Sequence, residues 1–187
     1  MPEYLVALGS NQPTSLGGAE ATLAKATECI ISGYALYVKS ISRFYRTPAF
    51  PDESDPEFVN AALRLQTESS PHDLLATLHA IEEHFGRDRR QRWGPRTLDL
   101  DLLLADDLVL PNASQVRTWM GKSSDNGTID APPHLTIPHP RLHERAFVLG
   151  PAQDIAPNWT HPILGKTLAD LWNALPDSER SALKALP

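Results

Sequence analysis

The segment from Leu98 to Leu104 reads Leu-Asp-Leu-Asp-Leu-Leu-Leu, and its alternation restricts the fold more narrowly than any composition figure. In an extended strand successive side chains alternate faces, so Leu98, Leu100, Leu102 and Leu104 cover one side while Asp99, Asp101 and Leu103 share the other. In a helix, residues two apart diverge by about 200°, and the two acids could not serve one site. Gly94-Pro95 just upstream is a breaker pair, and the alternation favours a strand. Such a pair has an ordinary reading, a solvent-facing strand with its polar residues outward, because Asp is depleted in strands yet tolerated on wet faces. The neighbouring residues decide between that reading and a site.

Immediately before the acids, "RDRRQRWGPR" holds Arg87, Arg89, Arg90, Arg92 and Arg96, five of the seventeen Lys and Arg residues of the chain. An isolated Arg run is ordinarily a solvated loop. Guanidinium forks, however, suit phosphate oxygens, and paired carboxylates suit Mg²⁺, which shares its shell with water and substrate phosphates. Side by side, the two clusters point to a site for a metal-bound polyphosphate.

The rest of the chain supplies a scaffold. Tyr4 to Leu8 reads as a strand ended by Gly9-Ser10-Asn11, followed by a helix with Leu23, Ala26, Ile30 and Ile31 inward and Gly33 as its cap. A strand is expected from Leu36 to Arg46, stopped by Thr47-Pro48. In "FVNAALRLQT" Val59, Ala61, Leu63 and Leu65 share one face, with Phe58 and Asn60 on the other. Ser70 and Pro71 open a helix striped by Leu74, Leu75, Leu78, Ile81 and Phe85 and closed by Gly86. The Asp strand comes next, so the order is β-α-β-β-α-β. That is the split, ferredoxin-like α+β arrangement, with a mixed sheet and helices on one face expected. Helical material resumes at Leu142 to Leu149, and Thr167 is an N-cap before Leu168, Leu171, Trp172 and Leu175, giving extra C-terminal helices.

With 187 residues and 41% hydrophobic content, the chain suits one domain over 1–187, interrupted after the Asp strand by an aperiodic, mobile insertion at 111–133. Its single cysteine, Cys29, excludes an intramolecular disulfide and fits a reducing compartment. The N-terminal residues lack the features of a signal peptide and no window reaches the length of a membrane span, so a cytoplasmic protein with no membrane partner is expected. A formal net charge of −6 argues against general nucleic-acid binding.

Other motifs fail. Gly121-Lys122-Ser123 resembles the end of a phosphate-binding loop, but Val116 stands where the first glycine belongs. His134, His139 and His143 have metal-ligand spacing, yet Pro140 opposes a helical pair from the last two. No nucleophile-elbow signature occurs.

The segments "ALGSN", "SRFYRTPAF", "FVNAAL", "RWGPRTLDLDLLL" and "LTIPHPRLHERAFVL" occur in the order and spacing of the 6-hydroxymethyl-7,8-dihydropterin pyrophosphokinase family. The resemblance runs from about Leu5 to Pro157 and agrees with the ferredoxin-like order. It implies transfer of pyrophosphate from ATP to the pterin hydroxymethyl group, giving AMP and the pterin diphosphate in folate biosynthesis. It implies two Mg²⁺ ions held by Asp99 and Asp101, with Arg87, Arg92 and Arg96 completing the catalytic set. Thr47, Pro48, Phe58, Asn60 and Phe147 would bind the pterin, the two phenylalanines sandwiching its ring. Glu82, Arg87, Arg89, Arg92, Trp93, Arg96, Leu102, Thr136, His139 and Arg145 would serve the nucleotide. Arg87 and Arg89 fall on or beside a loop that closes over the site. His79, His134 and Pro140 stand where some members carry other residues, and the roles of Arg89 and Arg90 stay open. A monomer is expected. Two other readings remain at this point, a two-metal phosphoesterase and a non-enzymatic RNA-binding module of the same sheet type, although the latter's aromatic pattern is missing.

Overall fold

The computed structural model describes residues 1–15, 17–49, 56–86, 97–122 and 131–187. Its strands are β1 (Glu3–Ser10), β2 (Tyr37–Ile41), β3 (Tyr45–Thr47), β4 (Phe58–Gln66), β5 (Asp99–Ala105) and β6 (Lys184–Ala185). Its helices are α1 (Ala19–Gly33), α2 (Pro71–His84), α3 (Ala113–Met120), α4 (Ala146–Ile155), α5 (Leu168–Ala174) and α6 (Asp177–Ser181), with a 3₁₀ turn at Leu142–Glu144 before α4.

The strands form one sheet in the order β5-β1-β4-β3-β6, with β2 also on β4. Every described pairing is antiparallel, where a mixed sheet was expected. The reason lies in the crossovers. Each helical connection, β1 to β2 and β4 to β5, returns the chain one strand beyond its neighbour, and the strand left between runs the opposite way. The single strand expected over 36–46 is two. Ser42 interrupts it, donating its backbone N–H to the Ala62 carbonyl at 3.0 Å while its Oγ accepts the Ala62 N–H at 2.8 Å.

Helices cover both faces of the sheet rather than one, because the strands are apolar on both sides. Val6, Leu8, Val59, Ala61, Leu63, Leu65, Leu100 and Leu102 pack against Leu23, Ala26 and Ile30 of α1 and Leu74, Leu78 and Ile81 of α2. Leu5, Ala62, Leu103 and Leu104 pack on the other face against Val148, Leu149 and Ala152 of α4 and Leu168 and Leu171 of α5. Leu104 therefore departs from simple alternation. The register jumps from Leu5↔Leu104 to Val6↔Leu102, and the bulge at Leu103 turns both leucines toward α4.

Local signals explain the helix ends. Ser70 Oγ accepts the Asp73 N–H at 3.2 Å, Pro71 occupies the first turn, and Gly86 leaves the helix at φ +81. Thr167 and Asp170 form a reciprocal capping box at the start of α5. Ile31, expected inward, is 54% exposed, since Ile30 and Leu23 already define the buried stripe of α1. Within the expected aperiodic insertion, α3 is a finding. Asn112 caps it by accepting the Gln115 N–H at 3.0 Å, but Val116 is its one buried residue, too few to show a period.

Candidate active site

The sheet register builds the site. Asp99 lies opposite Gly9 on β1, Gly9 opposite Asn60 on β4, and Asn60 opposite Tyr45 on β3. Directly opposed residues point to the same face, so this row crosses four strands on the α4 side of the sheet. Asp101, two residues along, shares that face and stands about 7 Å from Asp99 by the strand rise. Phe58 and Thr47 lie one pair further, and Asn60 Nδ2 donates to Thr47 Oγ1 at 2.9 Å. Asn60 and Thr47 are buried, Phe58, Asp99 and Asp101 are half-buried, and Pro48 is exposed at the rim.

Gly9 holds the row open. A Cβ there would lie 3.3 Å from Asn60 Oδ1, 3.9 Å from Phe58 Cδ1 and 4.0 Å from Asp99 Cβ. The sequence places Gly9 beyond the end of the first strand, but β1 continues through Ser10, whose hydroxyl donates to the Thr97 carbonyl at 2.6 Å. A glycine inside a strand is the available signal for such a close approach.

A second wall comes from residues 134–147. Leu110 and Ile137 exchange backbone hydrogen bonds at 2.8 and 3.0 Å, and the His139 N–H donates to the Leu103 carbonyl at 2.8 Å, so this segment lines the outer edge of β5. Thr136 is buried on it, its hydroxyl donating to the His134 carbonyl at 3.0 Å, while His134 is exposed. His139 Nδ1 accepts the Arg141 N–H at 3.2 Å, which leaves the proton of the neutral ring on Nε2. Desolvation pushes its pKa down to about 3; the Arg145 charge adds to this, and the negative Asp99 opposes it. These couplings place His139, Arg145 and Asp99 in one electrostatic neighbourhood. The Arg145 guanidinium sits 5.6 Å from the Phe147 ring centroid, and Phe147 is half-buried against the second core.

Two expected site residues sit behind the sheet. Leu102 is buried among the leucines on the α2 side, the face opposite the two aspartates, so its side chain does not reach the site. Glu82 is fully buried on α2, and its Oε1 accepts the Leu100 N–H at 2.8 Å. It supports the strand between the acids. Arg87, Arg89, Arg90, Arg92, Trp93 and Arg96 lie outside the described residues. Sequence reasoning also missed Tyr45 and Asp154, which are joined across the fold by a 2.7 Å hydrogen bond. Their signal was absent because residues 109 positions apart show no spacing.

An acid pair and a polar strand row thus share one face of the sheet, with a neutral His and an Arg on the neighbouring segment, which brings hard oxygen donors, hydrogen-bonding groups and positive charge together. Residues 5–157 match the family model of 7,8-dihydro-6-hydroxymethylpterin-pyrophosphokinase (HPPK), and the chain belongs to that family. It is a diphosphokinase of folate biosynthesis, transferring a pyrophosphoryl group from ATP to hydroxymethyldihydropterin.

Among curated relatives, the 2-amino-4-hydroxy-6-hydroxymethyldihydropteridine pyrophosphokinase of Synechocystis sp. is 37% identical over 167 residues, covering 89% of this chain and 73% of the relative. That of Bacillus subtilis is 35% identical over 150 residues, covering 80% and 75%. Crystal structures of Plasmodium falciparum HPPK-DHPS share the fold, the wild type with a TM-score of 0.63 at 14% identity over 92% of this chain. The chain spans less than half of that protein, 44%. No described helix is long and apolar enough to cross a membrane.

Proposed function

We propose that the reaction takes place on the α4 face of the sheet, with the pterin held between Phe58 and Phe147 and its polar edge read by Asn60 and Thr47. The observation that carries this reading is the register row Asp99–Gly9–Asn60, which sets Asp99 two strands from Asn60 with only the glycine of β1 between them. A ring between two phenylalanines gains stacking and apolar burial, and the Asn60–Thr47 hydrogen bond fixes the amide that meets its edge.

HPPK enzymes generally use Mg²⁺, and the donor set fits it. Asp99 and Asp101 are half-buried carboxylates on one strand face, hard oxygen donors open to substrate and water. Two ions held there would neutralise the triphosphate and favour in-line displacement at the β-phosphorus. The protein's own groups do the rest. The acceptor hydroxymethyl oxygen forms the new bond to the β-phosphorus, the bond from that phosphorus to the α,β-bridging oxygen breaks, AMP leaves carrying that oxygen, and the hydroxyl proton is released to water. Arg145 supplies positive charge beside Asp99, and the neutral His139 offers an Nε2 donor without adding charge. Arg87, Arg92 and Arg96 bind phosphates and developing charge, with Arg89 and Trp93 at the nucleotide. Thr136 borders the nucleotide, Pro48 the pterin, and Leu102 takes part through its backbone alone.

The reading extends to a ferredoxin-like core within one domain over 1–187, a monomeric cytoplasmic enzyme without a nucleic-acid or membrane partner. The β5-β1-β4 order with both helical crossovers supports the fold assignment.

The reaction is tested by incubating the protein with ATP, Mg²⁺ and 6-hydroxymethyl-7,8-dihydropterin, resolving the nucleotides and weighing the pterin product. AMP and the pterin diphosphate should appear in equal amounts, both dependent on the pterin. ADP would overturn β-phosphorus attack, and pterin-independent phosphate release would favour a phosphoesterase.

A further inference from the structure

The helix that carries Phe147 is secured to the sheet at its far end by a polar anchor. Asp154 lies seven residues after Phe147 on α4, two helical turns along the same face. Its Oδ2 accepts the Tyr45 hydroxyl at 2.7 Å and Arg43 Nε at 3.1 Å, and its Oδ1 accepts Arg43 NH2 at 2.9 Å. The Asp154 side chain is only 13% exposed. Burial raises its pKa, but the donors from Arg43 and Tyr45 outweigh this and hold the carboxyl below the usual range. Tyr45 is itself buried, and its hydroxyl is pushed up to about 12 by desolvation and by its bond to Asp154. A phenol that stays protonated keeps donating to a carboxylate that stays ionised.

Two features connect this anchor to the substrate slot. Tyr45 is the register partner of Asn60 and stands two residues before Thr47, so the β3 end of the anchor belongs to the strand row that reads the pterin edge. In addition, α4 contains Pro151, which has no N–H to give to the carbonyl four residues earlier, that of Phe147. A helix interrupted at this point bends more easily between Phe147 and its C-terminal half. Two ties to the sheet therefore hold α4 and with it Phe147: the packing of Val148 and Leu149 in the second core before the proline, and the Asp154 anchor beyond it.

We propose that Asp154, through Tyr45 and Arg43, is a positioning residue that sets the separation of Phe147 from Phe58 and so determines affinity for the pterin. The inference rests on the proposed pterin slot, and the experiment separates the two. Steady-state KM for each substrate, kcat and thermal midpoint are measured for Asp154→Ala, Asp154→Asn and Tyr45→Phe, with Phe147→Ala as the control for the slot itself. Expected is a rise in pterin KM of roughly 10-fold for Asp154→Ala and a smaller rise for Tyr45→Phe, with ATP KM unchanged and kcat within about 2-fold. The Tyr45→Phe, Asp154→Ala double variant should be no worse than Asp154→Ala alone, because both remove one interaction. A lower thermal midpoint with unchanged pterin KM, while Phe147→Ala raises it, would overturn the positioning role and leave the slot standing. An unchanged pterin KM in Phe147→Ala would overturn the slot and this inference together. Asp154→Asn and Tyr45→Phe preserve shape, so the test survives if the alanine variant does not fold.

Discussion

Glu82 and Leu100 are joined by a 2.8 Å hydrogen bond from the backbone N–H of the strand to a carboxylate that is fully buried. Leu100 separates Asp99 from Asp101 on β5, the last strand of the sheet, so its N–H finds its acceptor in Glu82 and not in a further strand. Replacing Glu82 with Ala leaves that buried amide without its partner, a loss of about 1–3 kcal/mol. Glu82→Gln, which keeps an acceptor oxygen, should lose less. Urea unfolding of the two variants checks the order, and equal stability would mean that the bond contributes nothing to holding the strand.

Asp99 and Asp101 are the proposed seats of the metal. Their substitution by Asn keeps size and polarity but removes the charge, so the fold should survive while turnover falls on the order of 100-fold or more. The checks are kcat over a Mg²⁺ titration and circular dichroism of each variant. A variant that regains full kcat at ordinary Mg²⁺ would remove that carboxylate from the proposed metal set.

Stability should fall in mild acid through His161. The ring is fully buried beside His143, with centroids 6.4 Å apart, and its Nδ1 accepts the N–H groups of Ile163 and Leu164 at 3.2 and 3.3 Å. Burial, reinforced by His143, lowers its pKa from 6.5 to about 4. Between those values the unfolded chain binds the proton more readily than the folded one. The contribution is therefore complete above pH 6.5 and is lost as pH falls toward 4, at about 1.4 kcal/mol per pH unit. His139 acts in the same sense. His161→Asn retains an acceptor for the two amides but cannot titrate, so its unfolding free energy should fall less steeply between pH 6 and 4.5. Parallel slopes for wild type and variant would show that His161 is not the group responsible.

The parts of the structure legible in the sequence are those with a local physical signature. The Asp99 and Asp101 alternation, the Ser70-Pro71 start, the Gly86 stop and the Thr167 cap each depend on residues within a few positions, and each appears where expected. What could not be read depends on distant partners. The bulge that turns Leu104 over is a mismatch between β1 and β5, and neither strand shows it alone. The second helical layer was hidden for a related reason. Strand faces of Leu, Ala and Gly are compatible with solvent, a ligand or a helix, and only the docking of α4 decides among them. The carboxylates of the proposed metal site were legible as a pair, whereas the anchor at Asp154 belongs to a contact with β3 that no spacing encodes.

Gly9 lies between Asn60, Phe58 and Asp99 in the proposed site, and its substitution gives the sharpest test. Its backbone φ is not in the left-handed region, so an added side chain meets no backbone penalty and the effect is purely one of space. An alanine Cβ 3.3 Å from Asn60 Oδ1 is tighter than ordinary contact, and Asn60 can yield only by disturbing its 2.9 Å bond to Thr47. A valine at position 9 would extend further into the space between Phe58 and Asp99. Gly9→Ala should therefore raise pterin KM, and Gly9→Val should raise it further, by roughly 10-fold or more. Thermal midpoints should change little by comparison, because the added atoms enter the proposed slot and not the cores. Binding of the pterin measured by calorimetry, alongside KM for ATP, separates the possibilities. Equal losses for both substrates would indicate a distorted β1, and wild-type pterin affinity in Gly9→Val would place the pterin elsewhere on the sheet.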